Sequence, residues 1–364
     1  MPAAGYSQSV RFGNESSYGT KSATNRDLGA VQSISPSEKN NLIKIRTLGG
    51  NRDYKTVIAG KFEVSGSMEY FYQGGDFLRQ AFGEDTASTA VIDSGAKILG
   101  SGVYQHTMGS ANSPGVNSFP SFTLEFTDFE DDGDAADTKN LKRTYTGARV
   151  NTLTMSAGVD EPLRCAVDWM AKRVEISTGA PTAITEYVTD PYVFYEGFIY
   201  LTSGVATAGT LQTTLKNDAV CQVLSFEMGI NNNLEAGWYI AGTCNDTDSS
   251  RAAKFIIPKG RDYDLKLNMH YNNKEMYERF LGGIGNTTDS KTMDKFQVVL
   301  DFLKGGEIGT ISADLEYMRL VAASASFDDI SINGAPEDIV NQDVTVFAKS
   351  IKAYVVDTTS DYTN

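Results

Sequence analysis

The chain has 364 residues, 41% hydrophobic and 21% charged, a balance that fits a folded protein and leaves room for two cores. Its formal net charge of −14 argues against a surface that grips nucleic-acid phosphates, which needs clustered Lys and Arg. Three widely spaced cysteines (Cys165, Cys221, Cys244) without a CxxC, and two histidines (His106, His270), argue against zinc and against a secreted disulfide scaffold.

In chain order, the start is not expected to be a signal peptide, since Met1 to Gln8 has neither a basic start nor an apolar core. No window of eighteen apolar residues predicts a membrane span. Residues 1–40 are polar and rich in Gly, Ser and Asn, which predicts an extended arm ordering on a neighbour, or a disordered tail, with Val10, Phe12 and Tyr18 as anchors. Leu42 to Arg46 reads as a short strand. Val57 to Tyr72 is expected as one long strand, in which Phe62, Val64, Met68 and Tyr70 alternate with polar residues, the period of a strand with one buried face. Gly74-Gly75 breaks it, Asp76 caps a turn, and Phe77, Leu78, Ala81 and Phe82 form a short amphipathic helix stopped by Gly83.

Strands are expected over Ala96 to His106 and Phe119 to Phe126, around a Gly/Pro/Asn loop at Ser110 to Ser118. The acidic run from Asp128 to Asp137 starts like a calcium loop but has Lys139 where the twelfth ligand belongs, so a solvated loop is the better reading. Tyr145 to Ser156 alternates with a slip near Asn151, which predicts a bulge. Leu163 to Ala171 is a strictly alternating strand, and Tyr192 to Leu201 a hairpin or bulged strand. Cys165 and Cys221 are expected to be buried thiols.

From Cys221 on, the order of elements returns. Strands are read at Cys221 to Ile230, Trp238 to Gly242, Ala253 to Ile257 and Tyr263 to Tyr271; then comes a short helix with Met276, Tyr277, Phe280 and Leu281. Lys295 to Leu303, Glu316 to Ser326 and Asp343 to Asp357 follow as strands. Met68 aligns with Met269 and Tyr70 with Tyr271, and the corner before the second helix then comes out two residues shorter. This predicts an internal duplication.

No catalytic, cofactor-binding or metal-binding residue emerges. There is no Gly-x-Ser-x-Gly elbow, no phosphate loop and no dinucleotide fingerprint. The glycines at 282, 283 and 285 follow a helix rather than a strand. His106 and His270 are expected as surface or interface residues. A β-rich chain with these features works through its surfaces, and an enzyme is not expected.

An ordered set of short motifs carries a resemblance. It comprises Glu15-Ser-Ser-Tyr18-Gly19-Thr20; Gly49-Gly50-Asn51-Arg52; Gly60 to Tyr70 with the Phe77-Leu78 helix; Phe119 to Glu125; Tyr145 to Val150 leading into Leu153 to Ser156; and Ser225 to Leu234. Together it resembles the tail tube proteins of tailed phages and related viruses. The resemblance implies a mainly β fold of two antiparallel tail-tube-type sandwich or barrel units, each with a short flanking helix, plus the N-terminal arm. The corresponding division is an arm over 1–40, a first β domain over 41–216 and a second over 217–364.

It further implies a structural virion protein of the tail, assembled in the host cytoplasm. Its rings would stack into a hollow tube that carries DNA and the tape measure protein, with a sheath protein as a further partner in contractile tails. Two sandwiches per chain would make a pseudo-sixfold ring from three copies; a homohexamer is the alternative. Residues 1–40 and the loop Ser110 to Ser118 are the expected ring-to-ring contacts. The competing reading is a carbohydrate-binding or host-adhesion protein, which calls for exposed aromatics. Trp169 and Trp238 sit in apolar strand patterns and are expected in the core.

Overall fold

The computed structural model describes residues 8–48, 52–83, 85–89, 91–92, 97–98, 104–109, 119–128, 140–184, 186–187, 189–207, 215, 218–239, 251–304, 316–334 and 339–362. Its first eleven strands are β1 (Gln8–Asn14), β2 (Ala30–Lys39), β3 (Ile43–Ile45), β4 (Thr56–Ile58), β5 (Glu63–Phe71), β6 (Asp85–Thr89), β7 (Val91–Ile92), β8 (Lys97–Ile98), β9 (Tyr104–Gly109), β10 (Phe122–Asp128) and β11 (Leu141–Gly158). The rest are β12 (Arg164–Ala171), β13 (Arg173–Ser177), β14 (Gly197–Thr202), β15 (Val223–Asn231), β16 (Glu235–Gly237), β17 (Phe255–Ile257), β18 (Asp262–His270), β19 (Phe296–Leu303), β20 (Tyr317–Asn333), β21 (Asn341–Phe347) and β22 (Ser350–Asp357). Two short helices, α1 (Leu78–Phe82) and α2 (Glu275–Phe280), follow β5 and β18. The chain is mainly β and antiparallel, as expected.

One long sheet runs in the order β2-β5-β12-β11-β15-β18-β21-β20. Two further sets of strands branch from it: β1, β10 and β13 around the first part of β11, and β14, β19, β22, β9 and β6 around the first part of β20. β11 and β20 therefore belong to two sheets each. Each changes sheet at a left-handed residue, Gly147 (φ 68) in β11 and Ser324 (φ 51) in β20.

The pairing of the first half recurs in the second. β11 meets β12 with a bulge between Val150 and Thr152; β20 meets β21 with one between Phe327 and Asp329. Residues 141–177 correspond to 318–354 with no insertion: Trp169 faces Val150 as Val346 faces Phe327, and Val174 faces Tyr145 as Ile351 faces Ala322. Even the corner bonds repeat, Lys172 N–H to the Thr146 carbonyl (3.0 Å) and Lys349 N–H to the Ala323 carbonyl (3.2 Å).

Register corrects the alignment read from sequence. Gly66 faces Trp169 and Leu265 faces Val346, so Met68 corresponds to Leu267, Tyr70 to Met269 and Tyr72 to Tyr271. Tyr72 N–H bonds the Leu163 carbonyl and Tyr271 N–H the Val340 carbonyl, both at 2.9 Å. The corner before the helix then has equal length in both halves.

Three other expectations change. Segment 8–39 is extended, but it orders on its own chain rather than on a neighbour: β1 pairs with β10, β2 pairs with β5, and Phe12 and Leu28 lie in the core. Asp343 to Asp357 is not one strand, because the chain leaves the long sheet at Ala348-Lys349 and β22 joins the other layer. The Trp238 strand begins earlier, as β16, and residues 240–242 lie outside the described residues.

The core collects one face of each long-sheet strand, with α1 laid against it. Phe77 sits edge-on to Phe12, Phe122 and Tyr70, with ring centroids 5.1, 5.2 and 6.0 Å away. A carboxylate ties the N-terminal segment to this layer. Glu15 Oε1 accepts from Gly147 N–H (2.7 Å) and the Thr123 hydroxyl (2.9 Å); Oε2 accepts from Gly19 N–H (2.9 Å) and the Ser121 hydroxyl (2.7 Å).

Candidate functional surface

Alternation gives the long sheet a second face, and it is polar. Opposite buried Val64, Met68 and Tyr70, β5 presents Glu63, Ser65, Ser67 and Glu69. Following register across the sheet, the same face takes Ser33, Ser35, Ser37 and Lys39 from β2, Arg164 and Asp168 from β12, and Thr152, Thr154 and Ser156 from β11. The second half continues it with Ser225, Glu227 and Asn231 on β15, Asp262, Asp264, Lys266, Asn268 and His270 on β18, Asp343 and Thr345 on β21, and Asp329, Ser331 and Asn333 on β20. Eight carboxylates thus share the face with three cations.

The cations are partly spent on these carboxylates. Lys266 Nζ lies 2.7 Å from Glu227, which raises the lysine pKa, and Arg164 lies 3.2 Å from Glu69. Asp168 accepts from the Thr152 hydroxyl at 2.8 Å. His270, expected as a surface or interface residue, lies on this face, with Nδ1 2.9 Å from Asn341 Oδ1.

The long sheet ends in two open edges. Among the described residues β2 pairs only with β5, and the last part of β20 only with β21. Between β2 and β5 stands the β3–β4 hairpin, whose Leu42, Ile43, Val57 and Ile58 are about half exposed and whose Leu48 is fully exposed. Between β15 and β18 stands the β16–β17 hairpin, with Tyr239 and Ile257 exposed.

The ionisable groups inside the protein tie neighbouring segments together. His106, expected at a surface, is buried: Nδ1 lies 2.9 Å from Asp85, Nε2 2.7 Å from the Thr359 carbonyl, and the ring stacks on Tyr362 at 3.5 Å. Both partners are acceptors, an arrangement that favours the doubly protonated ring. Burial opposes that charge, but the Asp85 carboxylate and the Thr359 carbonyl outweigh it and raise the pKa. Burial pushes Asp76 up to about 6 against the pull of its partner Arg26. Arg319 and Asp301 form a fully buried pair, with Nε to Oδ1 at 2.6 Å and a second N–H to Oδ2 at 2.7 Å.

No nucleophile stands beside a base in this set, and no metal-type cluster occurs among the described residues. Cys165 is buried, as expected; Cys221 is exposed, at the rim of an apolar groove of about 310 Å³. Cys244 and the acidic run beyond Asp128 lie outside the described residues, and Asp128 itself pairs with Arg143 at 2.8 Å. Trp169 is core. Trp238 is half-buried, donating to the Arg251 carbonyl (3.2 Å) under Lys61.

Comparison with known families matches residues 5–348 to the phage tail tube protein model. The chain belongs to the phage tail tube protein family. It is therefore a structural protein of the virion tail, and the family's role is not enzymatic. No curated protein matches it. Among solved structures, the cap that terminates the tube of the anti-feeding prophage is similar at 15% identity, over 46% of this chain and 92% of that one, with a TM-score of 0.29.

The strands inside the sheet, β5, β12, β11, β15 and β18, are legible in the sequence, whereas β2 and the last part of β20, which form the two edges, are not. The usable signal was the polar half of each alternation, with Ser33, Ser35 and Ser37 in β2 as its plainest stretch.

Proposed function

We propose that three copies of this tube protein form a ring with pseudo-sixfold symmetry, and that rings stack into a hollow tube through which DNA passes with the tape measure protein. The division behind this reading is a first unit over 41–216 and a second over 217–364, with the segment before 41 adding strands to the first. The observation that carries it is the repeat of strand pairing in one continuous sheet, which stops at an open edge on each side. Joining edge to edge between copies would close the sheet and leave no unpaired strand.

The polar face of that sheet would line the lumen. Its surplus of carboxylates repels phosphate, and its Ser, Thr and Asn side chains offer no tight cationic contact, so DNA slides instead of sticking. Exchanging Glu69, Asp168 and Asp264 for Lys should slow DNA ejection from assembled particles; unchanged ejection would remove these residues from the lumen.

Ring stacking is assigned to the β3–β4 and β16–β17 hairpins. They occupy corresponding places, each after a long-sheet strand and before the next, and both expose apolar side chains. The loop at 110–118 lies outside the described residues. Electron microscopy of the purified protein tests the reading as a whole. Rings or tubes support it; a monodisperse monomer that binds glycans would favour the adhesion alternative.

A further inference from the structure

The chain turns out of β15 with Asn231-Asn232-Asn233-Leu234, and out of β2 with Lys39-Asn40-Asn41-Leu42. Register makes these corresponding segments. β15 meets β18 with a bulge between Val223 and Ser225; β2 meets β5 with one between Val31 and Ser33. Ser225 therefore corresponds to Ser33, and Asn232 to Asn40. The backbone agrees, since Asn233 (φ 48) and Asn41 (φ 42) are both left-handed, a conformation Asn tolerates better than most residues.

The first of these segments clamps one half of the chain to the other. Asn232 is fully buried, and its N–H donates to the Asn151 carbonyl at 2.8 Å. Its side-chain amide donates to the Val150 carbonyl (3.0 Å) and to the Ala81 carbonyl in α1 (3.3 Å). Leu234 N–H donates to Asn151 Oδ1 at 2.9 Å. The second segment stands at an edge: Asn40 and Asn41 are exposed, and Leu42 is 52% exposed.

The receiving corner is repeated as well. Val150, Asn151 and Thr152 correspond to Phe327, Asp328 and Asp329, bulge included, and Ala81 in α1 corresponds to Phe280 in α2. Asp328 and Asp329 are exposed, and Phe280 is partly so. Within one chain the second segment and the second corner cannot meet. They lie at opposite edges of the long sheet, about seven strand spacings of about 4.8 Å apart.

We propose that Asn40-Asn41-Leu42 of one copy seats in the corner formed by Phe327, Asp328, Asp329 and the end of α2 in the next, a residue-level assignment that rests on the ring reading above. Carrying over the β11–β15 register sets Asp329 opposite Lys39, Ser331 opposite Ser37 and Asn333 opposite Ser35. The Asn40 amide then donates to the Phe327 and Phe280 carbonyls, and Leu42 N–H to the Asp328 carboxylate.

The departures from the internal joint favour a second copy as occupant. Thr152 faces Asn231 inside the chain, whereas between copies a carboxylate faces an ammonium. Asp328 in place of Asn151 makes the bond from Leu42 charge-assisted. Pro36 falls opposite Ile332, leaving the ladder one N–H short there. The same proline suits β2 as an edge strand before assembly.

The test is disulfide trapping in the full chain carrying Cys221→Ser and Cys244→Ser. With Lys39→Cys and Asp329→Cys together, oxidation should convert most of the monomer band on a non-reducing gel into covalent oligomers. Ser35→Cys with Asp329→Cys, four residues out of register, should stay monomeric. Asn40→Ala, which in the lone chain loses only an exposed bond from Arg251, should change the melting temperature of the unassembled chain little and raise the concentration needed for assembly ~10-fold, worth about 1.4 kcal/mol. If the parent chain forms rings but the Lys39/Asp329 pair fails to link, or the Ser35/Asp329 pair links instead, the joint is overturned and the ring reading stands. If the parent forms no rings, both fall.

Discussion

His106 bridges a carboxylate and a carbonyl in the interior, so its positive charge is part of what holds β6, β9 and the C-terminal segment together. Its pKa is raised above 6.5 in the folded state, so the stability it adds is fully present below about 6.5 and is lost as pH rises through the folded value. Asp76, raised to about 6 from 3.8, also favours the folded state at lower pH, within that lower window. Melting temperatures of the wild type and His106→Gln, taken from pH 6 upward, should converge as pH rises; a constant gap would mean that the ring is neutral in the fold. The Arg319–Asp301 pair makes a different prediction. Removing one partner leaves a buried charge, so Arg319→Ala should cost about 3–5 kcal/mol in denaturant unfolding, and Arg319→Met with Asp301→Leu much less. Phe77→Ala, which empties the centre of an aromatic cluster, should cost about 3–5 kcal/mol in the same assay.

At the scale of elements, strands with one buried and one polar face were legible because burial imposes a period of two: β5, β12 and β18 stand where alternation puts them, and the slip at Asn151 is a bulge. The same period explains the misaligned repeat. A shift of two residues leaves every side chain on its own face, so alternation cannot tell Met269 from Leu267 as the counterpart of Met68; the corner bonds of Tyr72 and Tyr271 can. β2 was read as part of an arm because its solvent face is serine and its inner face holds only Val31, Ile34 and Pro36 before Glu38, which bonds the Tyr145 hydroxyl at 2.8 Å. The break at Ala348-Lys349 carries neither Gly nor Pro, and only its likeness to Ala171-Lys172 marks it. Two element-level outcomes follow. A chain lacking residues 1–40 should fail to fold, since it loses β1, β2 and the Phe12 contact with Phe77, and circular dichroism of the truncated chain checks this. Replacing residues 43–58 by a short turn that keeps β2, Leu42 and β5 should leave rings intact in electron micrographs but abolish their stacking.

At the scale of the molecule, part of the net charge of −14 gains a location: the sheet face alone holds eight carboxylates against three cations, while the β3–β4 hairpin exposes a run of apolar side chains. The internal β11–β15 joint has every part that a joint between copies would need, and the outer edges carry the matching parts. Three copies would then supply six sheets' worth of repeat, alternating one joint made within a chain with one made between chains. The native mass of a single ring, read together with its rotational symmetry in averaged electron micrographs, tests this most directly. Three chain masses per ring are expected, with six similar lobes that alternate in detail, so that only threefold symmetry is strict. Six chain masses with strict sixfold density would contradict it.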